Sequence, residues 1–247
     1  MGKQQTISIS TDDTFASSLR YISRRLAEFD PEIIKKSGRN FLNINIAYDI
    51  DVNKMLKTIV DGIADVVVTD YKSHYIESNL KVSIEDPISR HAFIRALSNF
   101  DRETDKHIAK KLIKITPNFL LDSFFQFMIN DLKTRWNEVI DLANENAPFL
   151  VCEGTFCELL RFLISNLESR SDVVHIYQRT DGIEVLSSTS KPFNNIYIND
   201  DLPADVHAIC KLISIAPKKI YLHSSGDVPV FGFIQNIFGS RVVSVEG

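Results

Sequence analysis

The sequence has no uninterrupted apolar run of the roughly 18–20 residues that a membrane-spanning helix needs. Its densest apolar stretch, Phe119–Ile129, is broken by Asp122, Ser123 and Gln126. Cysteine is scarce: three in 247 residues, an odd number that favours a reducing compartment over a disulfide framework. No secretory-signal pattern opens the sequence, because Met1–Gln5 leads straight into a polar, strand-like segment. We therefore expect a cytoplasmic protein without a membrane span.

The short motifs of common catalytic and nucleotide-binding sites are also missing. The sequence contains no Walker A loop, no G-x-G-x-x-G, no H-E-x-x-H and no G-x-S-x-G. A triad built from distant residues stays open, since triads are recognised by geometry and not by spacing. We predict no cofactor and single out no catalytic residue. Whether the protein is an enzyme stays open, with non-enzymatic action favoured.

The spacing of cysteines and acidic residues does not favour a metal site. Cys152 and Cys157 are five positions apart, without the second close pair of a structural zinc site. The acidic run Asp101–Asp105 resembles the start of a calcium loop. Lys106 and Leu112, however, occupy the positions that require glycine and a bidentate glutamate. We expect small buried cysteines and a solvated helix start, and we predict no metal.

Positive charge is in slight deficit. The chain has 32 acidic and 28 basic residues, a net charge of −4 at neutral pH. Nucleic-acid binders usually carry a basic excess, because much of their affinity comes from releasing phosphate counterions. The basic clusters Arg24-Arg25, Lys35-Lys36 and Lys110-Lys111 lie beside acidic residues, which indicates solvated faces. Nucleic acid is therefore disfavoured as a partner.

What the sequence does contain is apolar periodicity of an α+β, mixed α/β protein. Residues 1–50 predict a small N-terminal strand–helix–strand unit, and residues 51–170 a helical middle region. The strongest helical period, between Asn118 and Ala143, predicts one central helix buried on two sides. Residues 171–247 switch to a period of two and predict a sheet-containing α/β unit. We place the domain boundaries at these changes of period.

The C-terminal unit has the clearest local signals. Asp181-Gly182 stands between two strand-like runs, which predicts a hairpin through a tight turn. A helix over Pro229–Phe238 is predicted to link two further strands through a 17-residue connection, a length that suits a parallel crossover. The predicted strands are Val174–Arg179, Ile183–Ser187, Ile220–His223 and Arg241–Val245.

Several stretches together carry a family resemblance. They are Ile213–His223 with the helix and strand after it, Ile63–Val68 with Tyr71, Phe124–Arg135 with Val139–Asp141, Phe156–Phe162, and Val173–His175. Over most of Gly62–Val245 the sequence resembles the YtxC-like sporulation proteins of spore-forming bacteria. The resemblance implies a link to sporulation and no established catalytic activity, so it assigns no catalytic residue. It favours action through a protein partner; partner identity and oligomeric state stay open.

A small-ligand site is the alternative hypothesis. In open α/β sheets, ligands gather at the carboxyl ends of strands, near helix N-termini whose N–H groups attract anions. The candidate ligand-binding residues at the end of the strand 220–223 are His223, Ser224, Ser225 and Asp227. The competing interpretation is a turn with Asp227 as a helix N-cap, whose carboxylate would repel phosphate. An enzyme or ligand-binding protein using this strand end is thus the alternative function, and a nucleic-acid binder a weaker one.

Overall fold

A computed structural model describes residues 5–46, 51–146, 153–179, 182–193, 196–224 and 228–246. It confirms an α+β protein with two mixed sheets. Packing groups the chain into a first unit, Met1–Lys72 with Asp101–Trp136, and a second unit, Ser73–Phe100 with Asn137–Gly247. None of the described helices combines the length and apolar character needed to cross a membrane. The division at 1–50, 51–170 and 171–247 stays a prediction.

The described part of the chain contains ten α-helices. In order they are α1 (Ala16–Arg25), α2 (Val52–Val66), α3 (Lys72–Asn79), α4 (Pro87–Asn99), α5 (Arg102–Leu112), α6 (Leu121–Phe127), α7 (Asn130–Glu145), α8 (Glu153–Ser165), α9 (Ala204–Ile215) and α10 (Pro229–Phe238). Asp51 caps α2 by accepting a hydrogen bond from the Lys54 N–H, 3.0 Å away. A π-helical turn, Val67–Tyr71, joins α2 to α3.

The sheet of the first unit has the strand order β2-β3-β1-β4. Its strands are β1 (Gln5–Thr11), β2 (Glu32–Lys36), β3 (Arg39–Ile46) and β4 (Asn118–Leu120). β1 pairs antiparallel with β3 in a register that places Ile7 beside Ile44 and Ile9 beside Leu42, all four buried. The alternation seen in the sequence therefore marks the buried face of this sheet.

Strand β2 carries no apolar alternation, since all five of its residues are exposed. It forms because the chain reverses at Ser37-Gly38, where both residues have positive φ, 51° and 74°. Two successive positive φ values match the twist of a tight hairpin. The turn thus brings β2 alongside β3 without help from buried side chains.

The single helix predicted between Asn118 and Ala143 is wrong. The segment opens as strand β4, parallel to β1, continues as α6, and breaks at Met128-Ile129 before α7. At its start, the Ser8 N–H donates to the Pro117 carbonyl at 2.8 Å, and the sheet then extends through Leu120. Pairing with a strand over a hundred residues away overrides the local helical period.

The sheet of the second unit has the strand order β6-β5-β7-β8. Its strands are β5 (Val173–Arg179), β6 (Gly182–Ser187), β7 (Lys219–Ser224) and β8 (Val242–Glu246). β5 and β6 form the predicted antiparallel hairpin, although Thr180 and Asp181 of its turn lie outside the described residues. β7 pairs parallel with β8, as the connection through Pro229–Phe238 predicts, and it also pairs parallel with β5.

One face of this second sheet is buried under helices. Val174 and Ile176 of β5, Ile220 and Leu222 of β7, and Val185 of β6 all belong to the core. The same core contains apolar side chains of α4, α8, α9 and α10. Because successive strand residues point to opposite faces, the residues between these apolar ones lie on the other side of the sheet.

Candidate functional site

Four ring side chains occupy that other side of the second sheet. His175 and Tyr177 alternate with the buried residues of β5, and Tyr221 and His223 with those of β7. The parallel register sets His175 beside Tyr221 and Tyr177 beside His223. Their ring centroids are 5.1 Å and 4.3 Å apart, with interplanar angles of 15° and 8°. We call this half-buried set of four rings the ring-bearing face.

The two histidines of the ring-bearing face share a hydrogen bond. His175 Nδ1 lies 2.9 Å from His223 Nε2. One of these nitrogens must donate its hydrogen and the other accept through a bare lone pair, so at least one imidazole is neutral in this geometry. Desolvation, together with the positive charge that His175 can carry, lowers the pKa of His223. The pair therefore disfavours double protonation.

Cationic and aliphatic side chains extend the ring-bearing face. The Arg179 guanidinium lies 5.0 Å from the Tyr177 ring centre, and the Lys219 ammonium 4.9 Å from that of Tyr221. Val243 of β8 aligns with Tyr221 and is partly exposed. Arg179 also pairs with Glu184, with Nε 3.1 Å from the carboxylate. The result is a centre of rings and aliphatic groups with charges at its margins.

The predicted strand-end ligand site is only partly described. His223 lies in β7, where its ring belongs to the ring-bearing face. Ser224 is the last residue of β7, and Ser225 and Asp227 lie outside the described residues. Among the residues that are described, neither His223 nor His175 hydrogen-bonds a carboxylate or hydroxyl of the kind a catalytic triad uses. A ligand site over 223–227 stays a prediction.

Sequence reasoning missed three of the four rings. The signal was present, because His175-x-Tyr177 and Tyr221-x-His223 each place rings at a spacing of two in a predicted strand. The buried face of both strands was also marked, by the apolar residues Val174, Ile176, Ile220 and Leu222. What the sequence lacked was the pairing of β5 with β7, which connects residues almost fifty positions apart.

The cysteines behave as packing residues where they are described. Cys210 is buried with Ile198 and Val206, and burial raises the pKa of its thiol to about 11. Cys157 is half-buried against the helical core, and Cys152 lies outside the described residues. A thiol with so high a pKa carries little thiolate at neutral pH and is a poor nucleophile. Across the described part of the chain, no cluster of three or more His, Cys, Asp or Glu residues is placed to hold a metal.

The first unit contains a buried ion pair. Lys72 and Asp105 are 1% and 2% exposed, and the ammonium lies 2.7 Å from the carboxylate. The same carboxylate oxygen accepts from the Trp136 indole N–H at 2.8 Å. Burial lowers the pKa of Lys72, and the negative charge of Asp105 opposes that shift. Because both charges are matched inside the cluster, we interpret it as structural.

Asp65, near the end of α2, is the centre of a larger buried network. Its carboxylate lies 2.5 Å from Arg25, 2.6 Å from Arg102 and 2.6 Å from Lys106. Burial alone would raise the pKa of Asp65, but the charges of Arg102 and Lys106 outweigh it and lower that pKa. One carboxylate thus ties α1 and α5 to α2.

Comparison with known protein families gives one match. The model of the YtxC-like family matches residues 57–243, which include β5, β7 and all four residues of the ring-bearing face. No curated protein and no solved structure matches the chain.

Proposed function

The chain belongs to the YtxC-like family, and from that premise we propose that it is a sporulation-associated protein that acts without catalysis, through contact with a protein partner. We propose the ring-bearing face as the contact surface. A cytoplasmic location is part of the proposal, supported by the low and odd number of cysteines.

The observation that carries the proposal is the composition of the ring-bearing face. Tyr177 and Tyr221 offer large, rigid surfaces that lose little side-chain entropy on binding, and tyrosine is enriched at protein interfaces. Val243 adds aliphatic area beside them. Arg179 and Lys219 stand at the margins, as charged residues do at the rim of an interface.

The charge of the face supports a protein over a nucleic acid. Its two marginal cations include Arg179, whose charge is already offset by Glu184. A nucleic-acid platform gains much of its affinity from basic side chains that follow the phosphate backbone. The net charge of −4 on the whole chain also opposes a polyanion. Because the face offers aromatic rings but little net positive charge, it suits a protein partner that supplies apolar and polar side chains.

Site-specific photo-crosslinking in sporulating cells tests the proposal. A photoreactive phenylalanine analogue replaces Tyr177 in one strain and Phe162 of α8 in the control strain, since Phe162 is an aromatic side chain that is 64% exposed. We expect a discrete protein adduct from position 177 and none from position 162. No adduct from position 177, or the same adducts from both positions, would count against the proposal. An adduct that nuclease removes would identify nucleic acid as the partner instead.

A further inference from the structure

A cleft of about 450 Å³ lies along β6, an edge strand of the second sheet. Its lining residues are Arg179, Gly182–Leu186, Pro192, His207 and Lys211. One wall is the β5–β6 hairpin, and the other is α9, which contributes His207 and Lys211. These two are four positions apart, so they lie one turn apart on the same side of the helix. The volume is within the range of small-molecule sites.

Positive charge in the cleft is only partly balanced. Among the described lining residues Glu184 is the one acid, and its carboxylate pairs with Arg179. Lys211 is half-buried, and its ammonium has no hydrogen-bond or ion-pair partner among the residues that the structure describes. Burial lowers the pKa of Lys211, which Glu184 partly opposes. Burial and the charge of Lys211 lower the pKa of His207, and the negative charge of Asp200 partly opposes them. An anion between Lys211 and His207 would oppose the lowering of both pKa values, because it favours the charged form of each side chain.

We propose that this cleft binds a small phosphate monoester, with its phosphate between Lys211 and His207 and its organic part against the apolar lining. A phosphate monoester carries nearly two negative charges at neutral pH and offers three strong acceptor oxygens. Lys211 and His207 supply donors for them, and Arg179 is a further lining residue of the same cleft. The apolar lining consists of Ile183, Val185, Leu186 and Pro192.

The inference does not depend on the proposed function. The phosphate would be held by α9, whereas the ring-bearing face is built from β5 and β7. Arg179 and Glu184 contribute to both, because both line the cleft and Arg179 contacts the Tyr177 ring while it pairs with Glu184. Substitutions at Lys211 and His207 therefore test the cleft and leave the four rings unchanged.

Thermal shift and calorimetric titration test the inference on the full chain. The probes are glycerol 3-phosphate and adenosine monophosphate, with glycerol and adenosine as neutral controls and citrate as a carboxylate control. We expect each phosphate monoester to raise the melting temperature in a dose-dependent way, because a ligand of the native state stabilises it. The neutral controls and citrate should give no comparable shift.

Lys211→Met removes the charge while keeping an extended side chain, and we expect it to weaken monoester binding by roughly tenfold or more, since it deletes a charge-assisted hydrogen bond. The matched control is Lys218→Met, which removes a lysine that is 70% exposed, paired with Asp172 and absent from the cleft lining. It should bind as the unchanged chain does. If Lys211→Met does not fold, His207→Gln is tested with the same expectation.

Three results would overturn the inference. The first is no stabilisation by either monoester at millimolar concentration. The second is equal binding by the Lys211→Met or His207→Gln variant and the unchanged chain. The third is stabilisation by citrate as strong as that by the monoesters, which would mark a general anion effect.

Discussion

The substitution Asp105→Ala tests the interpretation of the buried Lys72–Asp105 pair as structural. It removes the carboxylate that lies 2.7 Å from the Lys72 ammonium, in a place where both side chains are almost fully buried. It also removes the carboxylate oxygen that accepts a hydrogen bond from the Trp136 indole N–H. The variant therefore either buries an ammonium that has lost this carboxylate or deprotonates Lys72, and both cost free energy.

The expected loss in the free energy of unfolding follows from the burial of the pair. Breaking a fully buried ion pair by removing one partner costs about 3–5 kcal/mol. Glu28→Ala is the matched control, because Glu28 pairs with Lys54 at 2.5 Å in the same unit with the two side chains 49% and 57% exposed. A solvent-exposed pair of this kind contributes about 1 kcal/mol or less. The two substitutions should therefore differ by at least about 2 kcal/mol.

Urea denaturation followed by tryptophan fluorescence measures this difference. Trp136 is the single tryptophan of the chain and belongs to the first unit, so its emission reports on the unit that contains the pair. The double variant Lys72→Met with Asp105→Leu removes both charges and should recover most of the lost stability. Equal losses from Asp105→Ala and Glu28→Ala, or a double variant no more stable than Asp105→Ala, would refute the reasoning.

Two further predictions concern the second unit. Gly239 ends α10 with a φ of +55°, and an added Cβ would lie 3.3 Å from Arg161 Nε, so Gly239→Ala should cost about 1–3 kcal/mol in urea denaturation. An unchanged midpoint would contradict this. Desolvation and His175 hold the pKa of His223 below its ordinary value of 6.5, so the unfolded chain takes up the proton first as the pH falls. The stability contribution of neutral His223 is therefore complete above pH 6.5 and lost below it, down to the folded-state pKa. NMR titration should give His223 a lower pKa in the folded than in the urea-unfolded protein, and an equal or higher folded value would contradict the prediction.

Local patterns in the sequence predicted the C-terminal architecture well. The pattern of hairpin, helix and parallel crossover depends on residues close together in the chain, such as Asp181-Gly182 and the helix from Pro229 to Phe238. The apolar alternation in Val174–Arg179 likewise marks β5 directly. These elements could be predicted because the residues that determine each of them lie close together in the sequence.

Long-range pairing explains what the sequence did not reveal. Asn118–Leu120 lies in the stretch predicted as one helix but joins β1 as a strand, and no nearby residue indicates that partner. β2 has exposed side chains throughout and owes its pairing to the Ser37-Gly38 turn. The ring-bearing face required two patterns of alternation, around His175 and around His223, to be placed in register. Such information arises only when the sheet is assembled.

The most direct measurement of the central claim is spore formation by a deletion strain that expresses a Tyr177→Ala, Tyr221→Ala double variant. Both rings are half-buried on the ring-bearing face and outside the helical core, so the variant should fold and accumulate as the unchanged chain does. We expect its spore count to fall to that of the deletion strain, whereas the Phe162→Ala control restores normal sporulation. A folded double variant that restores sporulation fully would contradict the assignment of this face as the site of partner contact.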